Sequence, residues 1–229
     1  MALRQISYEP LHQKAYGELR EALKTGRFRP GQAVTIRGLG KELGISSTPV
    51  REALQRLIAE HALTLLANRT VVVPILTQDR FLEITEVRIR LEGLASQEAI
   101  KFITDHHIAR LKLHERAMGA ALREHAFDLY LEHNEKFHFA LYEQCRMPFL
   151  LQMIEMTWLQ IGPWLNELAS EGQFQAGGNK LHGSIVRYAA ARDGAAVMRA
   201  VQQDISEAAH HLVRHLPAAG VPRKAVATA

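Results

Sequence analysis

The fold is decided by the stretch Leu43-Gly44-Ile45-Ser46-Ser47-Thr48-Pro49-Val50-Arg51-Glu52-Ala53-Leu54. Gly44 suits the end of a helix, where a left-handed residue closes the last turn. Ser46 or Ser47 can cap the next helix, and Pro49 falls in its first turn, where a missing N–H costs nothing. Val50, Ala53, Leu54, Leu57 and Ile58 then form an apolar stripe at helical period. Upstream, Thr35 can cap a short helix running to Leu43. Two helices meeting at Gly44-Ile45-Ser46 have the layout of a helix-turn-helix.

Working outward, Pro10 to Lys24 reads as a preceding helix, with Leu11, Ala15, Leu19, Ala22 and Leu23 at spacings of three and four. Arg29-Pro30-Gly31 marks a turn. On the other side, Leu63 to Leu66 and Val71 to Val73 are β-prone runs joined by Ala67-Asn68-Arg69-Thr70, a small hairpin. A hairpin directly behind a helix-turn-helix is a winged form, and Pro74 closes it. From Asp79 onward the pattern is helical throughout, over roughly 79–100, 105–124, 126–145, 148–170, 179–192 and 194–216, with joins at Thr104, Met147-Pro148, Gly177-Gly178 and Asp193-Gly194. Short joins predict an antiparallel bundle. The expected fold is mainly α: a winged helix-turn-helix with three helices and a small hairpin over 1–75, then an all-α bundle over 76–229. The Ala/Pro-rich tail from Pro217 to Ala229 is expected to fray.

Composition narrows the function. The 229 residues include 47% hydrophobic side chains, ordinary globular usage. A single cysteine, Cys145, excludes an internal disulfide. The N-terminus has no apolar stretch of signal-peptide length, and Leu150 to Leu165 is interrupted by Glu155 and too short for a bilayer. A cytoplasmic protein without a membrane partner is expected. The net charge of +4 is unevenly placed. Residues 1–75 carry eleven Lys/Arg against six Asp/Glu, whereas 76–229 carry seventeen against eighteen. The whole basic surplus therefore sits in the head, as a polyanion-binding module requires.

A helix entering the major groove presents short polar and basic side chains at its N-terminal end, while its free N–H groups face phosphate. Ser46, Ser47, Thr48, Pro49 and Arg51 meet that description, Arg37 of the preceding helix is within reach, and Asn68 and Arg69 sit at the wing tip. Spacing alone equally allows a plain capped helix start beside a solvated arginine.

The run S-x-T-P-V-R-E-A-L over Ser46 to Leu54, together with Arg29-Pro30-Gly31, Leu39, Leu57, Glu60 and Leu63, resembles the winged helix-turn-helix of GntR-type bacterial transcription regulators. The resemblance implies that Arg37, Ser46, Thr48 and Arg51 contact operator DNA. Three positions depart from it. Ser47 stands where arginine is usual, His61 where glycine is usual, and Thr70 at the wing glycine. Losing one arginine removes a contact worth roughly 1–3 kcal/mol, so an atypical operator is expected.

In the bundle, Asn134-Glu135-Lys136-Phe137-His138 puts Asn134 and His138 four apart on one helix face, the spacing at which two ligands chelate one ion. His182 opens a later helix and Asp204 lies in the last one; side chains from three helices can converge inside a bundle. A buried polar network is the other reading of the same spacing. Arg88-x-x-Leu91-Glu92, the N-x-x-F-H run, Leu181-His182 and Asp193 to Ile205 resemble the C-terminal ligand-binding domain of the FadR branch, called FCD. Many such domains hold a divalent metal with one aspartate and three histidines. His138 and His182 match; Asn134 replaces the aspartate and Asp204 stands for the third histidine. An Asn/His/His/Asp set suits a transition ion such as Zn²⁺. Arg88 is the matching effector anchor, by bidentate pairing with a carboxylate; a helical pair with Glu92, four residues on, is the alternative. Trp158 and Trp164 can line a pocket or fill core.

No G-x-S-x-G elbow, Walker motif or H-E-x-x-H is present, so catalysis is not expected. A metalloenzyme on His138, His182 and Asp204 lacks a clear base, because Glu135 points off the His138 face. A helical adaptor that never touches DNA is the other alternative. The expected function is a homodimeric, ligand-responsive repressor of operator DNA, with a small carboxylate as effector.

Overall fold

The computed structural model describes residues 10–166, 168 and 180–218. Helix α1 spans Leu11–Lys24, strand β1 Ala33–Val34, α2 Ile36–Leu43, α3 Ser47–Ala59, β2 Thr64–Leu65 and β3 Val71–Val72. The bundle follows as α4 (Gln78–Ala99), α5 (Asp105–Arg123), α6 (Phe127–Tyr142), α7 (Pro148–Leu165), α8 (Lys180–Ala190) and α9 (Gly194–Leu212), with short 3₁₀ turns at Glu143–Cys145 and Val213–His215.

The expected cap at Thr35 and the expected stop at Gly44 form, whereas Ser46 sits at the start of α3 without a capping hydrogen bond. Thr35 caps α2, its hydroxyl accepting from the Gly38 N–H at 3.0 Å, and Gly44 ends it at φ 66°. Thr77 caps α4, Thr104 closes a capping box on α5 with His107, and Asp193 caps α9 through the Ala196 N–H. The wing differs from the expected hairpin. Ala33–Val34 adds a third strand, so the sheet runs β1-β3-β2, all antiparallel, with Ala33 opposite Val72 and Thr64 also opposite Val72. α7 ends at Leu165 rather than near 170, and the expected joins at Gly177-Gly178 and the last eleven residues of the tail lie outside the described residues.

Among the described residues, five other than glycine occupy left-handed backbone: His61, Arg69, His125, Arg146 and Arg192. All carry or can carry positive charge. His61, His125 and Arg192 each follow a helix, so their Ramachandran strain is offset in part by the negative helix terminus. His61 takes this geometry where the GntR-type pattern has glycine.

Two cores form. The head core gathers Leu19, Leu23, Val50, Leu54, Leu57 and Leu63, and it is completed by Leu159 of α7, 1% exposed. The bundle core is built on Phe81, Leu111, Phe137, Trp158, Trp164 and Ile185 among others, with α9 along α4 and α5 along α6. Cys145 is buried there, and burial raises its thiol above the ordinary value, as befits a structural thiol. Among the described residues no helix is long and apolar enough to cross a membrane.

α1 docks on α7 at a close approach. A Cβ on Gly162 would lie 2.2 Å from the Leu23 carbonyl oxygen and 2.7 Å from the Lys24 Cα, so only glycine fits. Arg20 pairs with Glu155 at 2.7 Å beside this contact.

Candidate functional site

The head presents one polar surface. Arg37, Ser46, Ser47, Thr48, Arg51, Asn68 and Arg69 are all exposed, and Pro49 is half-buried. Ser46 takes the N-cap position of α3 in extended geometry, yet its hydroxyl makes no capping hydrogen bond. The first-turn N–H groups of α3 are thus open to a partner. Arg37, Arg51 and Arg69 form no ion pair among the described residues. At the wing tip, Asn68 Oδ1 accepts from the Thr70 N–H at 3.0 Å, and Arg69 rather than Thr70 takes the left-handed turn. An open helix start flanked by unpaired guanidinium groups suits a polyanion.

The second site lies in the bundle. His138 Nε2 is 3.3 Å from His182 Nε2 and 3.3 Å from Asp204 Oδ2, and His182 Nε2 is 3.8 Å from Asp204 Oδ1. α6, α8 and α9 therefore bring three of the four expected ligands to one point, with ligand atoms all within 4.8 Å of one another. Asn134 lines the same cavity, of about 30 Å³, with Arg88, Tyr130 and Trp158. That volume holds an ion and a water, far below the 300 Å³ or more typical of a metabolite pocket, so a metabolite enters only if a wall moves. Burial alone would raise the Asp204 carboxyl; the imidazoles of His182 and His138 outweigh it and hold it below the ordinary range.

Arg88 forms the helical pair: its Nε donates to Glu92 Oε1 at 2.7 Å, and its guanidinium lies 4.9 Å from the Trp158 ring. Arg88 also stands in the cavity wall, and its Nη1 makes no hydrogen bond among the described residues. Trp158 is in the wall and Trp164 in the core; both indole N–H groups are buried without a partner among the described residues. Glu135 points away from the site, to Lys24 of α1.

Two participants escaped sequence reasoning, Tyr130 in the cavity wall and Tyr142 behind His138. Tyr142 Oη donates to Glu92 Oε2 at 2.8 Å and lies 3.0 Å from His138 Nδ1. Burial first, then the Glu92 charge, raises the Tyr142 phenol well above its ordinary value, so it stays protonated. Tyr130, Asn134, His138 and Tyr142 recur every four residues on α6; that spacing was the available signal.

Comparison with known proteins agrees with both halves. The GntR family of bacterial regulatory proteins matches residues 11–73, and the FCD domain matches 83–207. The HTH-type transcriptional regulator McbR of Escherichia coli is 32% identical over 151 residues, covering 66% of this chain and 68% of that protein. The Nta operon transcriptional regulator of Aminobacter aminovorans is 35% identical over 117 residues, half of this chain and 54% of its own. The solved structure of E. coli McbR/YncC superposes with a TM-score of 0.85 at 25% identity, covering 91% of this chain and 99% of that one. A GntR regulator from Rhodococcus sp. RHA1, 19% identical, shares the fold with a TM-score of 0.73 over 90% and 99%. These relatives are regulators, not enzymes. With a winged head open for DNA and an FCD bundle behind it, the chain belongs to the GntR family, FadR-type branch, and is a DNA-binding transcription regulator.

Proposed function

We propose that this regulator is a homodimeric repressor whose bundle holds a divalent transition ion, Zn²⁺ or a close relative, and releases operator DNA when a small carboxylate binds there. The observation that carries the reading is the convergence of His138 Nε2, His182 Nε2 and an Asp204 oxygen. Each offers a lone pair, and lone pairs facing one another at 3.3 Å repel unless a proton or a cation stands among them. Two imidazoles and a carboxylate are donors that transition ions favour. His138, His182 and Asp204 would hold the ion, with the Asn134 amide as a neutral fourth donor. A bound ion supplies positive charge for an incoming carboxylate. Arg88 Nη1 and the Trp158 N–H, both without a partner among the described residues, are donors in the same wall.

In the head (residues 1–75), Ser46, Ser47, Thr48, Pro49 and Arg51 would enter the major groove. Arg37 would reach the duplex from α2, and Asn68 and Arg69 from the wing. A two-fold pair of heads would read half-sites one helical turn apart, in the bacterial cytoplasm. The cavity is too small for a metabolite as it stands, so the effector favours a bundle with a shifted wall. α7 forms part of that wall through Trp158 and is docked on α1 through Gly162, which gives the shift a route to the head.

Elemental analysis tests the metal, with near one ion per chain expected and a sharp fall in His138→Ala. A thermal-shift screen over organic, sugar and amino acids tests the effector: a ligand at 100 Kd stabilises by about 2.7 kcal/mol. The same ligand should free operator DNA in a gel-retardation assay at stated salt. An ion-free protein with full ligand response would overturn the metal reading, and retention that no carboxylate alters would overturn the effector.

A further inference from the structure

Beside the proposed ion lies a set of hydrogen-bonded side chains that ends on His138. Helices α4 and α6 each contribute a pair four residues apart: Arg88 with Glu92, and His138 with Tyr142. A single hydrogen bond, from Tyr142 Oη to Glu92 Oε2 at 2.8 Å, ties the pairs together. Glu92 is fully buried, and both of its oxygens are occupied, one by Arg88 Nε and one by the phenol.

Counting protons along this chain leaves one arrangement. A phenol has one hydrogen. Tyr142 gives it to Glu92, so toward His138 it can only accept. His138 Nδ1, 3.0 Å away, must therefore carry the ring proton. In the neutral imidazole Nε2 is then bare, and Nε2 is the atom that faces His182 and Asp204. The opposite tautomer would leave Nδ1 bare. Tyr142 would have to donate to it, abandoning Glu92 and leaving the buried Oε2 to the long 3.5 Å contact from Arg88 Nη2.

We infer that Tyr142 and Glu92 are positioning residues for the cation site: they fix His138 as the Nδ1–H tautomer and so aim a bare Nε2 at the ion. The inference rests on the metal reading above for its purpose. A ligand histidine held through its other nitrogen is the general device by which a protein orients and strengthens a metal ligand. Here the holding group is a phenol backed by a carboxylate rather than a carboxylate or backbone carbonyl alone. Arg88, donating from Nε to Glu92 Oε1 at 2.7 Å, holds the far end of the chain in place.

Two variants separate this role from mere packing. Tyr142→Phe removes the acceptor and keeps the ring. Glu92→Gln keeps the shape, but the amide then gives its oxygen to Arg88 and its NH₂ to Tyr142, which turns the phenol proton toward His138 and drives the ring proton to Nε2. The full chain, freed of metal, is titrated with Co²⁺ and followed by visible absorption. ¹⁵N-labelled, metal-free protein at pH 8 reports the His138 tautomer by long-range ¹H–¹⁵N correlation. Expected are one Co²⁺ per chain in the parent, affinity lower by roughly 10- to 100-fold in both variants at unchanged helicity, and an Nδ1–H tautomer that reverses in Glu92→Gln. Parent-like Co²⁺ affinity in both variants overturns the inference, as does an Nε2–H tautomer in the parent. A parent that binds no Co²⁺ but shows Nδ1–H overturns the metal reading instead and leaves the tautomer assignment standing.

Discussion

Lys24, in the last turn of α1, and Glu135, in the middle of α6, form an ion pair at 2.5 Å with side chains only 6% and 7% exposed. Glu135 adjoins Asn134 and lies one turn from His138, so one stretch of α6 faces the head on one side and the cavity on the other. Removing one partner of such a pair strands a buried charge. Lys24→Met should therefore cost about 3–5 kcal/mol in urea unfolding. Lys24→Met with Glu135→Leu should recover most of that loss. A double variant no better than the single would mean that the pair holds the seam by packing alone.

Gly162→Ala offers a second test of the seam. The added methyl would strike backbone, the Leu23 carbonyl at 2.2 Å, and backbone cannot rotate aside. A loss of about 2–3 kcal/mol is expected, typical of overpacking at a tight contact. Effector-dependent release of DNA should weaken as well, because α1 would be levered off α7. Unchanged stability and response would show that the close approach is dispensable.

At the DNA surface, Arg51→Ala should weaken operator binding by roughly 1–3 kcal/mol and relax sequence preference at one position of each half-site. Arg37→Ala should weaken all sequences alike and reduce the slope of log affinity against log salt by about 1. Fluorescence anisotropy at several salt concentrations distinguishes the two. Identical profiles would mean that Arg51 reads no base and meets the duplex as Arg37 does.

His61→Gly should stabilise the protein by about 1 kcal/mol, since His61 sits at φ 58° where a side chain is strained. Thermal unfolding reads this directly. A lower melting temperature would show that the histidine's charge at the end of α3 outweighs its strain.

Tyr16 fixes the alkaline limit. Burial, then a 2.7 Å hydrogen bond to Glu60, raises its phenol from 10.0 to about 12. Below pH 10 both folded and unfolded chains keep the proton, and the contribution is intact. Between about 10 and 12 only the unfolded chain releases it, so stability falls as pH rises. For Lys24 the Glu135 carboxylate and its hydrogen bond outweigh burial and raise the ammonium, which acts in the same direction. Urea midpoints should decline over that window, with a shallower decline in Tyr16→Phe. An equal slope in the variant would assign the decline elsewhere.

The sequence disclosed what local chemistry controls. Threonines and Asp193 at helix starts, Gly44 at a helix end and the i,i+4 spacing of Arg88 and Glu92 are all decided within a few residues, and the structure keeps them. Strand β1 escaped because two residues carry no period; only pairing with Val71 and Val72, far along the chain, makes Ala33–Val34 a strand. The Tyr142–Glu92 bond joins residues fifty apart on separate helices, and the Lys24–Glu135 pair spans more than a hundred. Such partners depend on how helices are stacked, which no spacing rule encodes. Spacing offered His138, His182 and Asp204 as one of two readings, and the resemblance to a family with shared stacking favoured them as a ligand set.

Leu159 has a consequence for exchanging parts between regulators. It belongs by sequence to the bundle, yet it plugs the core of the winged module, one residue after the tryptophan that lines the cavity. A peptide ending at residue 75 would carry every DNA-facing group and still be missing its stopper, leaving an oily socket against water. Chimeras that graft this operator reader onto a foreign sensor should therefore succeed only when the matching turn of α7 travels with it.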